Sequence, residues 1–369
     1  MRAKSGSPQA QFTLAWMYAF GKGIPEDDKQ ALKWYRKAAE QGHLEAQYIL
    51  GAMYADGLGI PEDDQQAVHW LHKSAEQGFA EAQFALGRMY ALGEGLSADA
   101  KQAVKWLQKS AQQGHAKAQN NLGLIYANGR GVPEDNKQAV KWYLKSAQQG
   151  HAIAAYNLGL MYEMGRGVPK DQKEVVKWYL KSAQQGFAKA QNSLGFIYSK
   201  GRGVAQDNKE AIKWYLKSAQ QGYVRAQYNL GLVYAGGEMV PQDDREAVKW
   251  LLKSAQQGYA AAQNNLGAMY DFGRGVPENN QEAAKWYLKS AQQGHATAQY
   301  NLGVAYSNGE ALAKNSISSY VWYSMAKASG NKMAITAIER LKNSMTKQQL
   351  TEGKIRAGNC YRSNFKHCE

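Results

Sequence analysis

The sequence has little cysteine, little proline and no long apolar run. Two cysteines in 369 residues exclude a disulfide-built scaffold and a module organised around several zinc ligands. No unbroken apolar run approaches the roughly 18 residues of a spanning helix and mean hydropathy is −0.60, which excludes a transmembrane helix. Seven prolines against 37 glycines point to glycine used at set places. Acidic residues are in deficit: 31 Asp and Glu against 45 Lys and Arg give a formal net charge of +14. Nucleic acid, acidic proteins and anionic lipid are therefore all open as partners until the charge is located. Aromatics are abundant, and 10 Trp with 23 Tyr exclude a disordered polyelectrolyte.

The tryptophans set a period. Trp34, Trp70, Trp106, Trp142, Trp178, Trp214, Trp250, Trp286 and Trp322 stand 36 residues apart. A glycine series from Gly42 to Gly330 and another from Gly51 to Gly303, with Ala15 in the first unit, keep the same step. Nine units fill residues 8–331 without insertion or deletion, so the array contains no internal linker. Positions are counted from Leu44, position 1 of the second unit. Ala46, Leu50, Met53 and Tyr54 are three or four apart and share a helical stripe. Ala67, Trp70, Leu71, Ser74 and Ala75 repeat that spacing in the second half.

Helix ends are legible too. Asp27, Asp63, Asp99, Asp135, Asp171, Asp207 and Asp243 all occupy position 20, each with Gln or Glu three residues on, the pattern of a capping box. Gly57 and Gly78 stand where helices end in left-handed backbone. Each unit thus reads as helix, Gly turn, helix, Gly turn. Such a hairpin must stack on its neighbours to bury both faces. Large residues at positions 11 and 27 alternate with Ala or Gly at positions 3, 8 and 32, which lets the helices approach closely.

The run AxAQxxLGxxYxxGxGVPxDxxxAxKWYxKAAxQGx, matched almost throughout by residues 116–151, resembles the consensus of the Sel1-like repeat, a relative of the tetratricopeptide repeat. The resemblance covers 8–331. It implies an all-α fold: a right-handed α/α superhelical solenoid of nine helix-turn-helix repeats, serving as a bacterial protein-binding adaptor or scaffold. Bacterial members of the family are commonly exported. Some act in host interaction or envelope signalling, and some are immunity proteins that neutralise type VI secretion lipase effectors. The turn after Gly237 and the segment 309–318 depart from the pattern and are expected to be reshaped.

Residues 332–369 fall outside the period and read as helix, turn and helix, a C-terminal cap with a cysteine-containing tail. Residues 1–7 resemble the last turn of a preceding helix and carry no signal peptide. The expectation is a truncated front end whose signal peptide has been removed, in a periplasmic or secreted protein, with the cytoplasm as alternative. Cys360 and Cys368, eight apart, allow a small disulfide of an oxidising compartment or two free thiols in a cytosolic tail.

At about 100° per residue, positions 2, 5, 6, 9 and 13 of the first helix lie opposite its core stripe. By resemblance to tetratricopeptide solenoids this side lines the concave surface. Position 6 carries Asn121, Asn157, Asn229, Asn265 and Asn301. Position 5 carries Tyr156, Asn192, Tyr228 and Tyr300, alternating with Asn120 and Asn264. Position 9 carries Leu124, Leu160, Phe196, Leu232 and Val304, and position 13 adds Leu92, Met164 and Phe272. Amides pair with a partner's backbone without selecting its side chains, and apolar residues on a solvent-facing side mark a binding surface. The competing reading is that the Asn ladder ties the inner helices together.

Lysines at position 26 (seven) and position 30 (eight) exceed the net charge by themselves. They flank the buried Trp and are expected to face outward as a solubilising surface, or to adhere to an anionic envelope. A nucleic-acid groove would need Arg or Lys interleaved with the inner aromatics, and none is.

No catalytic constellation stands out, and neither a cofactor nor a metal is expected. His43, His115, His151 and His295 all sit at the joint between units, and His69 with His72 lack a third ligand. Two S-x-x-K matches, at Ser324 and Ser344, come without S-D-N or K-T-G. The expected function is a non-enzymatic scaffold holding a protein or extended peptide in its concave face. The alternatives are an immunity protein against a secreted lipase and an envelope or host-surface adhesin.

Overall fold

The computed structural model describes residues 6–310, 312–365 and 368, and every regular element among them is a helix. The helices form two compact groups, one ending at Phe187 and the other starting at Ala188. The first holds α1 (Pro8–Phe20), α2 (Asp28–Glu40), α3 (Leu44–Asp56), α4 (Asp64–Glu76), α5 (Ala80–Leu92), α6 (Ala100–Gln112), α7 (Ala116–Asn128), α8 (Asn136–Gln148), α9 (Ala152–Met164) and α10 (Gln172–Gln184). The second holds α11 (Ala188–Lys200), α12 (Asn208–Gln220), α13 (Val224–Gly236), α14 (Asp244–Gln256), α15 (Ala260–Asp271), α16 (Asn280–Ala291), α17 (Ala296–Asn308), α18 (Ser316–Ala328), α19 (Met333–Lys342) and α20 (Lys347–Arg362). Most of the expected truncated front helix, residues 1–5, lies outside the described residues. Ser7 caps α1.

Local chemistry sets the helix limits. The Asp135 carboxylate accepts from Gln138 N at 3.0 Å, and its equivalents cap α2, α4, α6, α10, α12 and α14. Asn279 and Asn315 take over at α16 and α18. The reciprocal half of the capping box is a correction. Among the described residues only Thr346 and Gln349 form both halves. Where a Glu follows the Asp it turns instead to the next lysine, as Glu174 does to Lys177 and Glu210 to Lys213, both at 2.7 Å. The first helices end on left-handed glycines such as Gly57 (φ 65). In the seventh unit Gly237 keeps that conformation but loses the closing backbone bond that Gly57 makes to Met53. In the ninth, Ala311 lies outside the described residues.

Eight of the nine units close on a glycine; the first has Ala15 in its place. The position-8 glycine of a first helix faces the large residue at position 28 of its second helix, Leu71, Leu107, Tyr143, Tyr179, Tyr215, Leu251, Tyr287 or Tyr323. The tryptophans join units. Trp70 packs with Ala31, Tyr35 and Leu50, and Trp106 with Leu71 and Leu86. Polar rungs reinforce the stack. Ser110 Oγ donates to Ala80 O at 2.7 Å, Gln113 Nε2 to Gln83 Oε1 at 2.8 Å, and Gln83 Nε2 to Ala75 O at 3.0 Å.

After the ninth unit, α19 and α20 pack on α18. Ile338 and Leu341 meet Tyr320 and Tyr323, while Ala357 and Cys360 join Val321 and Trp322. Cys360 and Cys368 form a disulfide.

Candidate binding face

The first helices carry the side chains singled out at positions 5, 6, 9 and 13. Positions 5 and 6 engage one another. Asn157 Nδ2 donates to Asn120 Oδ1 (3.2 Å), Asn229 to Asn192 (2.9 Å) and Asn301 to Asn264 (3.2 Å). Within a helix, Asn120 Nδ2 donates to Asn121 Oδ1 and Asn264 Nδ2 to Asn265 Oδ1. The alternation at position 5 follows from this pairing. In the fourth, sixth and eighth units an Asn there accepts from the next unit. In the fifth, seventh and ninth a Tyr packs on rings instead. Tyr156 stacks on Tyr179 with centroids 5.1 Å apart, Tyr228 lies edge-on to Tyr259 at 5.1 Å, and Tyr300 tilts over Tyr323 at 5.5 Å. Asn120 and Asn264 are buried, and their neighbours on this row are half-buried.

Positions 9 and 13 reach solvent. Leu124, Phe196 and Leu232 are 44%, 40% and 41% exposed, and Leu92, Met164 and Phe272 more so. Leu160 and Val304 are half-buried. Trp16 and Phe20 extend the same two positions into the first unit, with rings 5.3 Å apart. The sequence reading passed over them, although their register was visible.

Notches recur between successive first helices. They lie between units two and three (about 390 Å³), three and four (about 200 Å³) and eight and nine (about 260 Å³). Each is lined by positions 12, 21 and 28 of one unit and 6, 9, 10 and 15 of the next. Their chemistry differs. Asp271, Glu278 and Glu310 border the last. There Asp271 accepts from Tyr287 Oη at 3.1 Å, and burial holds its carboxyl above the usual range.

The family model described as the Sel1 repeat matches nine consecutive segments, 8–43, 44–79, 80–115, 116–151, 152–187, 188–223, 224–259, 260–295 and 296–331. The chain belongs to the Sel1 repeat family. Its similar solved structures include a protective antigen of uropathogenic Escherichia coli with this fold, at 31% identity over 98% of this chain and 85% of that one, with a TM-score of 0.61. A Sel1 repeat protein from Oxalobacter formigenes is 34% identical over 80% of this chain and 86% of that one, with a TM-score of 0.64. An immunity protein from Pseudomonas aeruginosa is 23% identical over 58% of this chain and 81% of that one, with a TM-score of 0.37. No curated protein matches.

On the second helices of the Sel1 repeats, the lysines hold tryptophans. The position-30 ammonium lies over the position-27 ring in eight units, from Lys289 over Trp286 (4.3 Å) to Lys145 over Trp142 (4.9 Å). This is a cation–π ladder. Sequence reasoning treated these lysines as a hydrated surface, and the W-x-x-K spacing was the missed signal. Several position-26 lysines pair with glutamates, as in Lys249 with Glu246 at 2.9 Å.

The joint histidines are helix caps. His43, His115, His151 and His295 each accept through Nδ1 from the backbone N–H three residues on, at 3.1–3.3 Å. Burial pushes all four pKa values below the ordinary range. Ser324 and Ser344 donate back to their own chain, to Tyr320 O and Leu341 O. Among the described residues, no group of three His, Cys, Asp or Glu comes together as a metal site, and no helix is long and apolar enough to cross a membrane.

Proposed function

We propose that this Sel1 repeat array is a non-enzymatic scaffold whose first-helix face holds a protein or an extended peptide. The observation that carries this reading is the row of exposed apolar side chains at positions 9 and 13 beside notches in the same register. Leu124, Leu160, Phe196 and Leu232 supply contact area. Asn121, Asn157, Asn192, Asn229, Asn265 and Asn301, with Tyr156, Tyr228 and Tyr300, flank these side chains within each compact group and offer their remaining polar groups to a partner backbone. The disulfide supports a periplasmic or external location. The narrower reading as an immunity protein rests on the family resemblance, and it requires a tight 1:1 complex that abolishes a secreted lipase's turnover.

The test is affinity recovery from native extract with wild type and a Phe196→Glu/Leu232→Glu variant, whose changes sit on solvent-facing positions. The partner is expected to be lost with the variant and kept at high salt, because apolar contacts are not screened as exposed charges are. Equal recovery by both proteins overturns the reading.

A further inference from the structure

Arg stands at position 15 in the fourth, fifth, sixth and eighth repeats; in the fifth and eighth it holds a carboxylate, and Arg202 of the sixth lies over the Phe196 ring at 4.8 Å. Arg166 Nη2 lies 3.2 Å from Glu134 Oε1 and donates to Ala127 O at 2.6 Å. Arg274 holds both oxygens of Asp244, at 2.7 and 3.1 Å, and donates to Ala235 O at 3.0 Å. In each case the carboxylate comes from position 19 or 21 of the preceding repeat. Arg130 occupies position 15 of the fourth repeat, and the third repeat has Ala98 and Ala100 at those two places. The Arg130 guanidinium is exposed, and among the described residues no ion pair holds it. It borders the notch of about 200 Å³, which Leu107, Leu124, Ile125 and Arg88 also line. Arg88 also lacks an ion pair within 4 Å among the described residues, but it borders the preceding notch as well, which Asp56, Glu62 and Asp64 also line. No acidic residue lines the notch beside Arg130.

We infer that this notch seats a carboxylate of the protein partner carried next to an apolar side chain. The carboxylate pairs with Arg130 in the place that Glu134 and Asp244 fill for its counterparts, and the apolar group rests on Leu107, Leu124 and Ile125. A guanidinium fork matches a carboxylate with two parallel hydrogen bonds, and the apolar lining beside it takes the neighbouring apolar side chain. The inference rests on the partner-binding reading above and adds the chemistry of one subsite. An acidic side chain and a chain-terminal carboxylate share that chemistry.

Three hexapeptides labelled with an uncharged BODIPY dye separate the sources. They are Gly-Ser-Gly-Glu-Leu-Leu amide, Gly-Ser-Gly-Gln-Leu-Leu with a free terminal carboxylate, and Gly-Ser-Gly-Gln-Leu-Leu amide with neither. Fluorescence anisotropy against the full chain is expected to show at least one carboxylate peptide binding tenfold or more tightly than the neutral one. Arg130→Ala and Ala100→Asp should each weaken it at least tenfold. Ala100→Asp supplies the missing internal acid, so its thermal unfolding should be unchanged or raised, which separates lost binding from lost folding. Equal binding of the three peptides, no binding of any, or unchanged binding by Ala100→Asp overturns the inference. If the natural partner is lost with Phe196→Glu/Leu232→Glu while these peptides fail, only this subsite falls. If the partner survives the double substitution, the broader reading falls.

Discussion

Gly195 of α11 lies under Tyr215 of α12 so closely that a methyl group on it would stand 2.5 Å from ring carbon Cδ1. Gly123 with Tyr143 and Gly159 with Tyr179 repeat the arrangement at 2.6 Å. It is the contact that lets the two helices of a repeat close.

Gly195→Ala should therefore destabilise its repeat by about 1–3 kcal/mol through overpacking. Gly236 is the control. It ends α13 with nothing near its Cβ site, so Gly236→Ala should be neutral or stabilise by up to about 1 kcal/mol. Because repeat arrays open locally, hydrogen exchange of the α11–α12 and α13 amides is the measurement. Unchanged exchange in Gly195→Ala would refute the packing argument.

The glutamine rungs stop where their partner runs out. Gln299 is fully buried, and its Oε1 accepts no hydrogen bond. The residue 30 positions on, Gln in Gln113, Gln149, Gln257 and others, is Ser329 here. Ser329→Gln is expected to complete the rung and stabilise the ninth repeat by about 1 kcal/mol, read as a higher urea midpoint. A lower midpoint would mean that the longer side chain does not fit.

The histidine caps make stability depend on pH. His115 accepts through Nδ1, so protonation breaks the cap, and burial holds its folded pKa below 6.5. Below about 6.5 the unfolded chain binds the proton more readily, so stability rises with pH in that window. It is full above 6.5 and is lost as pH falls through the depressed folded value. His115→Asn keeps a capping acceptor that does not titrate. Urea midpoints at pH 7.5 and 5.5 should differ less for this variant than for wild type, and an equal difference would remove His115 from the account.

Lys109 Nζ lies 4.4 Å from the Trp106 ring centroid. Lys109→Met keeps most of the stem and removes the cation, and it should cost about 0.5–1 kcal/mol, whereas Lys109→Arg should cost less. If Met and Arg were equal in unfolding free energy, the charge would have no part in the contact.

Much of the repeat was legible in the sequence: the caps, the left-handed glycines and the Trp column, buried in seven units and half-buried at Trp34 and Trp286. These follow from short-range rules in which each residue meets others three or four away. The roles of the position-5 and position-6 side chains were not readable. Asn157 and Asn229 reach partners 37 residues back, and nothing in the spacing says whether an amide turns to its neighbour or outward.

The amino-acid order alone determined that this chain is a run of nine helical hairpins, because periodicity, capping and glycine placement are local properties repeated in register. Tertiary structure decided which groups are already occupied: the asparagines by one another, the outer lysines by tryptophan rings, and Arg166 and Arg274 by carboxylates of the preceding repeat. Those pairings depend on distances between side chains of successive repeats, and only packing sets such distances. The same packing leaves Arg130 facing two alanines.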